Sequence, residues 1–62
     1  MSIKLSPAQV AIVKLALRLR YYQHVIAAYF GVNQGRVSEI NSGKRFVGVA
    51  PADALPMDFP RR

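Results

Sequence analysis

The sequence predicts an all-α fold of three helices followed by an extended, proline-containing C-terminal tail. Three observations predict it. Apolar residues recur at helical spacing across residues 7–42. Residues that favour helix starts and ends divide this part of the chain into three segments. Pro56 and Pro60 prevent a long helix near the C-terminus. We therefore assign residues 1–46 to a helical domain and residues 47–62 to a tail that packs on that domain or on a second subunit.

Helix one is predicted from Pro7 to about Arg20. Ser6, Pro7 and Gln9 have the spacing of a capping box with proline at the first helical position. No glycine follows until Gly31, and Lys14 and Arg18 are spaced i, i+4 on a face that we expect to be solvated.

Helix one carries two adjacent apolar stripes. The first contains Val10, Val13 and Leu17, and we expect it to cover the other two helices. The second is surplus for a three-helix domain, and it must meet the tail, a second subunit or another protein. We assign a dimer interface to apolar residues of the second stripe and of the tail, namely Ile12, Leu15, Leu19, Leu55 and Phe59.

The segment that joins helix one to helix two contains Tyr21 and Tyr22 but no helix breaker and no good N-cap. We expect one tyrosine to pack in the core with its hydroxyl group at the surface. The other tyrosine and Gln23 are candidates for contacts with a phosphate group.

Helices two and three are predicted from residues 23–42, with the turn Gly31–Asn33 between them. Gly31 ends helix two because glycine adopts a positive φ without steric cost. Asn33 caps helix three, and Gly43 follows its end. The apolar positions that pack the two helices against each other are Val25, Ile26, Ala27, Phe30, Val37 and Ile40. Two short helices joined in this way form a helix-turn-helix.

The composition excludes several classes of protein. The 62 residues are near the lower limit for independent folding, which favours a second subunit. The chain has no cysteine and a single histidine, His24, so we expect no metal site and no cofactor. We expect no small-molecule ligand either. Apolar residues make up 52% of the chain, too many for a disordered protein, and no apolar run approaches the roughly 20 residues of a membrane span.

No arrangement of catalytic residues is recognisable along the chain. Glu39, Asp53 and Asp58 lie in different segments, and no acid lies near His24 in sequence to orient it. We therefore expect a protein that is not an enzyme.

The net charge favours an anionic partner. The chain has nine lysines and arginines and three aspartates and glutamates, which gives a formal charge of +6. Nucleic acid is the commonest partner of such a chain. The alternative is that the basic residues keep a small apolar protein soluble.

The run from Ile26 to Ile40, IAAYFGVNQGRVSEI, resembles the helix-turn-helix of small prokaryotic DNA-binding proteins. These include repressors and the trihelical DNA-binding domains of resolvases and invertases. The resemblance covers about a third of the chain. Two positions depart from it: Tyr22 stands where the family often has a capping serine, and Arg36 where it often has a small residue.

The resemblance implies that helix three enters the major groove of double-stranded DNA. If Val37 and Ile40 face the core, a 100° step directs a polar surface outward. We assign base contacts to Gln34, Gly35, Arg36, Ser38, Glu39 and Ser42. Glutamine suits adenine, arginine suits guanine, and glutamate accepts from cytosine. The alternative for Arg36 and Glu39 is an ion pair with each other at i, i+3. We assign contacts with the DNA backbone to Tyr22, Gln23, Asn33, Lys44 and Arg45.

The tail combines apolar residues with little regular structure. Residues 46–50 are expected to form a short strand or extended segment with Phe46 buried, and residues 51–55 one helical turn. Leu55, Met57 and Phe59 are expected to lie across the chain's own subunit or a neighbour's. Arg61 and Arg62 are expected to lie near phosphate or to be disordered.

The expected function is transcription regulation by a homodimer on double-stranded DNA, without an effector domain of its own. Two-fold symmetry predicts half-sites about 10 bp apart. One alternative is an architectural or recombination accessory factor, similar to an excisionase. The other is a helix-turn-helix module that sequesters another regulator. For the transcription regulator, we expect control by its concentration or by a regulatory protein partner. No export signal is visible, so we expect a cytoplasmic protein that associates with the nucleoid by binding DNA.

Overall fold

The computed structural model describes residues 5–61, and within them the chain forms three helices and no strand. The prediction of an all-α fold is confirmed at this level. Helix α1 spans Pro7–Arg18, α2 spans Gln23–Phe30 and α3 spans Gln34–Asn41. Residues 1–4 and Arg62, which the two predicted regions include, lie outside the described residues. In the described part of the chain none of the helices, the longest of which has 12 residues, combines the length and apolar character of a membrane span.

The start of α1 confirms the predicted capping box. The hydroxyl oxygen of Ser6 accepts a hydrogen bond from the backbone N–H of Gln9 at 3.2 Å. The side-chain oxygen of Gln9 accepts one from the backbone N–H of Ser6 at 2.9 Å. Pro7 occupies the first helical position. Two backbone donors that a helix start leaves without partners are thereby satisfied.

The ends of α2 and α3 have the same geometry. Gly31 and Gly43 follow the two helices with φ of 69° and 78°, as predicted. After each glycine the next backbone N–H bonds to a carbonyl five positions back, at 3.0 Å after α2 and 3.1 Å after α3. This is the Schellman arrangement, which satisfies free carbonyls and reverses the chain.

Helix α1 ends in the same arrangement, but with arginine in place of glycine. The backbone of Arg20 has φ of 69°, and the N–H of Tyr21 bonds to the carbonyl of Ala16 at 3.0 Å. The predicted end near Arg20 is therefore wrong by two residues, since the helix stops at Arg18. For a residue with a Cβ atom this conformation costs about 1–2 kcal/mol.

One hydrophobic core joins the three helices and the tail. Every helix contributes residues that are less than 9% exposed: Val10, Val13, Ala16, Ile26, Ala27, Val37 and Ile40. The tail contributes Phe59, which is 8% exposed. Its ring lies 5.0 Å from the ring of Tyr21, 4.6 Å from that of Tyr29 and 6.5 Å from that of Phe30. Aromatic rings at these separations stabilise one another beyond the area that they bury.

The position of Phe59 corrects its assignment to a dimer interface. Its side chain is buried by its own chain, so it is not part of a free surface. Leu55 is half-buried and also packs against the core of its own chain. Two of the five predicted interface residues therefore pack within their own subunit. Among the predicted interface residues, Ile12 and Leu15 are half-buried and Leu19 is 43% exposed.

Hydrogen bonds hold the irregular tail against α1. The Nζ atom of Lys14 donates to the carbonyls of Phe46 and Val49, the second at 2.6 Å. The backbone N–H of Ala52 donates to the carbonyl of Ala11 at 2.9 Å. The expectation of a solvated Lys14 is wrong, because the tail returns over this helix face and presents carbonyls that need a donor.

A further hydrogen bond connects the tail to α2. The hydroxyl group of Tyr29 donates to the Asp58 carboxylate at 2.7 Å. This hydrogen bond raises the pKa of Tyr29, and burial and the Asp58 charge raise it further. The phenol therefore keeps its proton and remains a donor at neutral pH.

Three expectations about the tail are wrong. Phe46 is 38% exposed and not buried, and its φ is 57°. Residues 46–49 form a turn, closed by the N–H of Val49 and the carbonyl of Phe46 at 3.1 Å, and not a strand. Residues 51–55 form no helical turn. Hydrogen bonds to α1 satisfy some of the backbone polar groups of the tail. The tail therefore needs no helix or sheet of its own.

Candidate nucleic-acid interface

Helix α3 presents a polar face to solvent. Val37 is fully buried and Ile40 is 5% exposed, so the opposite side of the helix points away from the core. Among the predicted base-contacting residues, Glu39 is half-buried and the others are exposed, namely Gln34, Gly35, Arg36, Ser38 and Ser42. The hydroxyl group of Ser42 donates to the carbonyl of Glu39 at 3.1 Å. The helical spacing therefore predicted the buried edge of α3 correctly.

Asn41 is an exposed polar residue on α3 that is absent from the predicted contacts. It lies seven positions after Gln34, which places both side chains along one edge of the helix, two turns apart. The spacing was visible in the sequence. Asparagine and glutamine can both bind adenine with two hydrogen bonds.

The start of α3 is fixed by its cap. The Oδ1 atom of Asn33 accepts a hydrogen bond from the N–H of Gly35 at 2.7 Å, which confirms the predicted capping role. A Cβ atom at Gly35 would lie 3.2 Å from this oxygen. Glycine at this position therefore accommodates the cap. This gives a local reason for a residue that a helix otherwise disfavours.

Two arginines share the carboxylate of Glu39. Its Oε1 atom lies 3.8 Å from Nη1 of Arg36 and 3.5 Å from Nε of Arg45. The Arg36 pair is the predicted i, i+3 alternative, whereas the Arg45 pair joins residues that the sequence pattern did not connect. The three side chains are 40–54% exposed. Exposed ion pairs contribute about 0–1 kcal/mol, so an incoming anion can replace the carboxylate.

The residues assigned to backbone contacts occupy different positions. Tyr22 precedes α2, is 73% exposed, and stacks on His24 with ring centroids 5.6 Å apart. Gln23 is half-buried in the first turn of α2. Asn33 has its side-chain oxygen engaged in the cap, while Lys44 and Arg45 are exposed just after α3. The tyrosine that packs against the core is Tyr21, so Tyr22 is the one that faces solvent.

The face around α3 is predominantly basic. Arg36 and Arg45 pair with Glu39, and Lys44 is exposed just before Arg45 in the chain. The two arginines neutralise that carboxylate, which reduces its repulsion of an approaching polyanion. The arrangement can donate hydrogen bonds from guanidinium, ammonium, amide and hydroxyl groups to an anionic partner.

Comparisons of the chain with protein-family models, with curated proteins and with solved structures gave no match.

Proposed function

We propose that the protein is a helix-turn-helix transcriptional regulator that binds double-stranded DNA as a homodimer, with α3 in the major groove. The observation that carries the proposal is the polar outer face of α3, held by a buried inner edge and by the Asn33 cap. The major groove is about 12 Å wide and admits one helix with its side chains. The three-residue turn between α2 and α3 and the net charge of +6 also support it.

Each polar side chain of α3 has a role in this proposal. Gln34 pairs with adenine and Arg36 with guanine, and each good pair discriminates by about 1–3 kcal/mol. Glu39 accepts from cytosine when it is released from its arginines. Gly35 allows close approach to the groove, and Ser38 and Ser42 contact base edges further along the helix.

Contacts with the DNA backbone orient α3 in the groove. Lys44 and Arg45 reach phosphates beyond the end of α3, and Tyr22, Gln23 and Asn33 do so at the starts of α2 and α3. Backbone N–H groups at helix starts also favour an anion. Such contacts supply most of the affinity and little of the sequence preference. A DNA-bound protein of this kind acts in the cytoplasm, at the nucleoid.

The salt dependence of binding tests the electrostatic part of the proposal. If roughly six phosphates are neutralised, log affinity falls with log salt concentration at a slope of about −5. Fluorescence anisotropy with a labelled duplex at four or more salt concentrations measures it. A slope near zero would contradict the proposal, because a net charge of +6 would then take no part in binding.

The homodimer is proposed on the apolar surface that remains on α1. Leu19 is 43% exposed, and Ile12 and Leu15 are half-buried. We expect Leu15→Glu or Leu19→Glu to separate the subunits while helical content is retained, because a carboxylate in an apolar contact is not solvated. Sedimentation equilibrium measures the mass, with Met57→Glu, at a fully exposed position, as the control. An unchanged mass for Leu19→Glu would exclude this surface.

Genome-wide binding with purified protein tests the function as a whole. The expected result is a set of sites at promoters, each with two half-sites about 10 bp apart. Phased sites with measured bending would indicate an architectural role instead. Absence of any preferred site would contradict sequence-specific binding.

A further inference from the structure

A groove lined by three arginines lies at the junction of α1 and α2, outside the residues assigned to DNA contacts on α3. Arg18, Leu19, Arg20 and Tyr21 line it from the last turn of α1 and the turn that follows, and Arg61 lines it from the tail. Tyr22 and Val25 continue the lining toward α2. We call this feature the arginine groove.

The arginines of the groove, Arg18, Arg20 and Arg61, are not ion-paired with any carboxylate of the described residues. Glu39 is paired with the arginines near α3, and Asp58 accepts from Tyr29. Like charges that line one groove repel one another, and an anion bound among them would relieve the repulsion.

The backbone at Arg20 gives a second, independent observation. Its φ is 69°, a conformation that α2 and α3 reach at the equivalent position with Gly31 and Gly43. Glycine adopts this backbone conformation without strain, whereas arginine does not. Strained residues of this kind cluster at binding sites, where the side chain has a role that offsets the strain.

A basic residue near a helix C-terminus also has a simpler explanation, the compensation of the helix dipole. That dipole is equivalent to about half an elementary charge. Arg18 alone, in the last turn of α1, is sufficient to balance it. The charges of Arg20 and Arg61 then exceed what the helix dipole requires, so the dipole does not explain why three arginines line the groove.

We infer that the arginine groove binds backbone phosphates of the same DNA duplex, next to the base pairs that α3 contacts. This inference rests on the proposed function. Tyr22 lines the groove and directly precedes α2, the helix that lies across the DNA backbone in a helix-turn-helix. Guanidinium groups suit phosphate, because their planar donors bind two of its oxygens at once.

The test compares two duplexes that contain the same selected site. One carries about one helical turn, roughly 10 bp, of flanking DNA on each side, and the other ends at the site. Binding of the full chain is measured across salt concentrations. The first variant, the glutamine pair, combines Arg18→Gln with Arg61→Gln. The second variant is Arg20→Gly alone. Arg18→Lys with Arg61→Lys is the matched control that retains both charges.

We expect the glutamine pair to weaken binding to the long duplex and to make its salt slope shallower by about 0.9 for each phosphate that the protein no longer neutralises. On the short duplex the effect is expected to be smaller. The lysine pair is expected to keep the slope of the wild-type protein. Arg20→Gly is expected to weaken binding to the long duplex without lowering the melting temperature, which separates a binding role from a structural one.

Failure of this inference is distinguishable from failure of the proposed function. Steep, salt-dependent binding by the wild-type protein, unchanged in the glutamine pair on both duplexes, would overturn the groove alone. No binding by the wild-type protein would overturn both. A further experiment titrates inorganic phosphate into DNA-free protein and follows the NMR resonances of Arg18 and Arg61. If these resonances respond while the glutamine pair keeps the DNA affinity of the wild-type protein, the groove binds a small anion and the DNA assignment is overturned.

Discussion

Reversal of the charges at Arg36, Lys44 and Arg45 to glutamate is expected to abolish specific DNA binding, with an affinity decrease of at least about 100-fold. Removal of one base contact costs about 1–3 kcal/mol. The two phosphate contacts are replaced by repulsion, and Glu39 is left without both of its arginines and adds to that repulsion. Electrophoretic mobility shift with the selected duplex, at fixed salt concentration, measures the decrease.

The same variant is expected to remain folded. Both ion pairs of Glu39 are exposed, and exposed pairs contribute about 0–1 kcal/mol to stability. Circular dichroism should therefore show the helical content of the wild-type protein. A folded triple variant with undiminished DNA affinity would show that α3 is not the docking helix.

Single glutamine variants separate base contacts from phosphate contacts. Arg36→Gln is expected to relax the preference at one base pair, whereas Arg45→Gln is expected to weaken binding to all duplexes about equally. Binding selection with a randomised duplex distinguishes the two. Equal effects of both variants on every sequence would remove Arg36 from the proposed base contacts.

Phe59→Ala is expected to destabilise the folded state by about 3–5 kcal/mol, the usual cost of deleting a buried aromatic ring. The side chain is 8% exposed and its ring lies within 6.5 Å of three others. A domain of this size typically has only about 3–5 kcal/mol from its core. Urea denaturation followed by circular dichroism is therefore expected to show a largely unfolded variant.

Met57→Ala is the matched control for the tail. Its side chain is fully exposed two residues before Phe59, so we expect a change within about 0.5 kcal/mol. If Phe59→Ala were as stable as the wild-type protein, the tail would not be part of the core. The apolar tail residues would then be available to a second subunit, which is the alternative that the sequence also allows.

The outer face of α3 could be predicted because it depends on spacing within one helix. Val37 and Ile40 define the buried edge, and a step of 100° assigns the remaining positions to solvent. The arrangement of charges on that face was only partly predictable. Arg45 lies beyond the end of α3, and the turn after Gly43 decides that its side chain reaches Glu39.

The arginine groove was not predictable for a related reason. Arg18 and Arg20 are close in sequence, but Arg61 follows about 40 positions later, and no periodic pattern connects them. They line one surface only because Phe59 anchors the tail against Tyr21. The left-handed turn at Arg20 was also missed, since glycine is the residue that normally signals it.

By itself the sequence determined the capped starts of α1 and α3, two of the three helix ends, and which edge of α3 is buried. These features depend on interactions within about five positions, such as the bond from Gln9 to Ser6 and the positive φ at Gly31. Only the tertiary structure decided that the tail completes the chain's own core. Its anchors join Lys14 to Val49 and Tyr29 to Asp58, and contacts between such distant positions are set by packing and not by local preference.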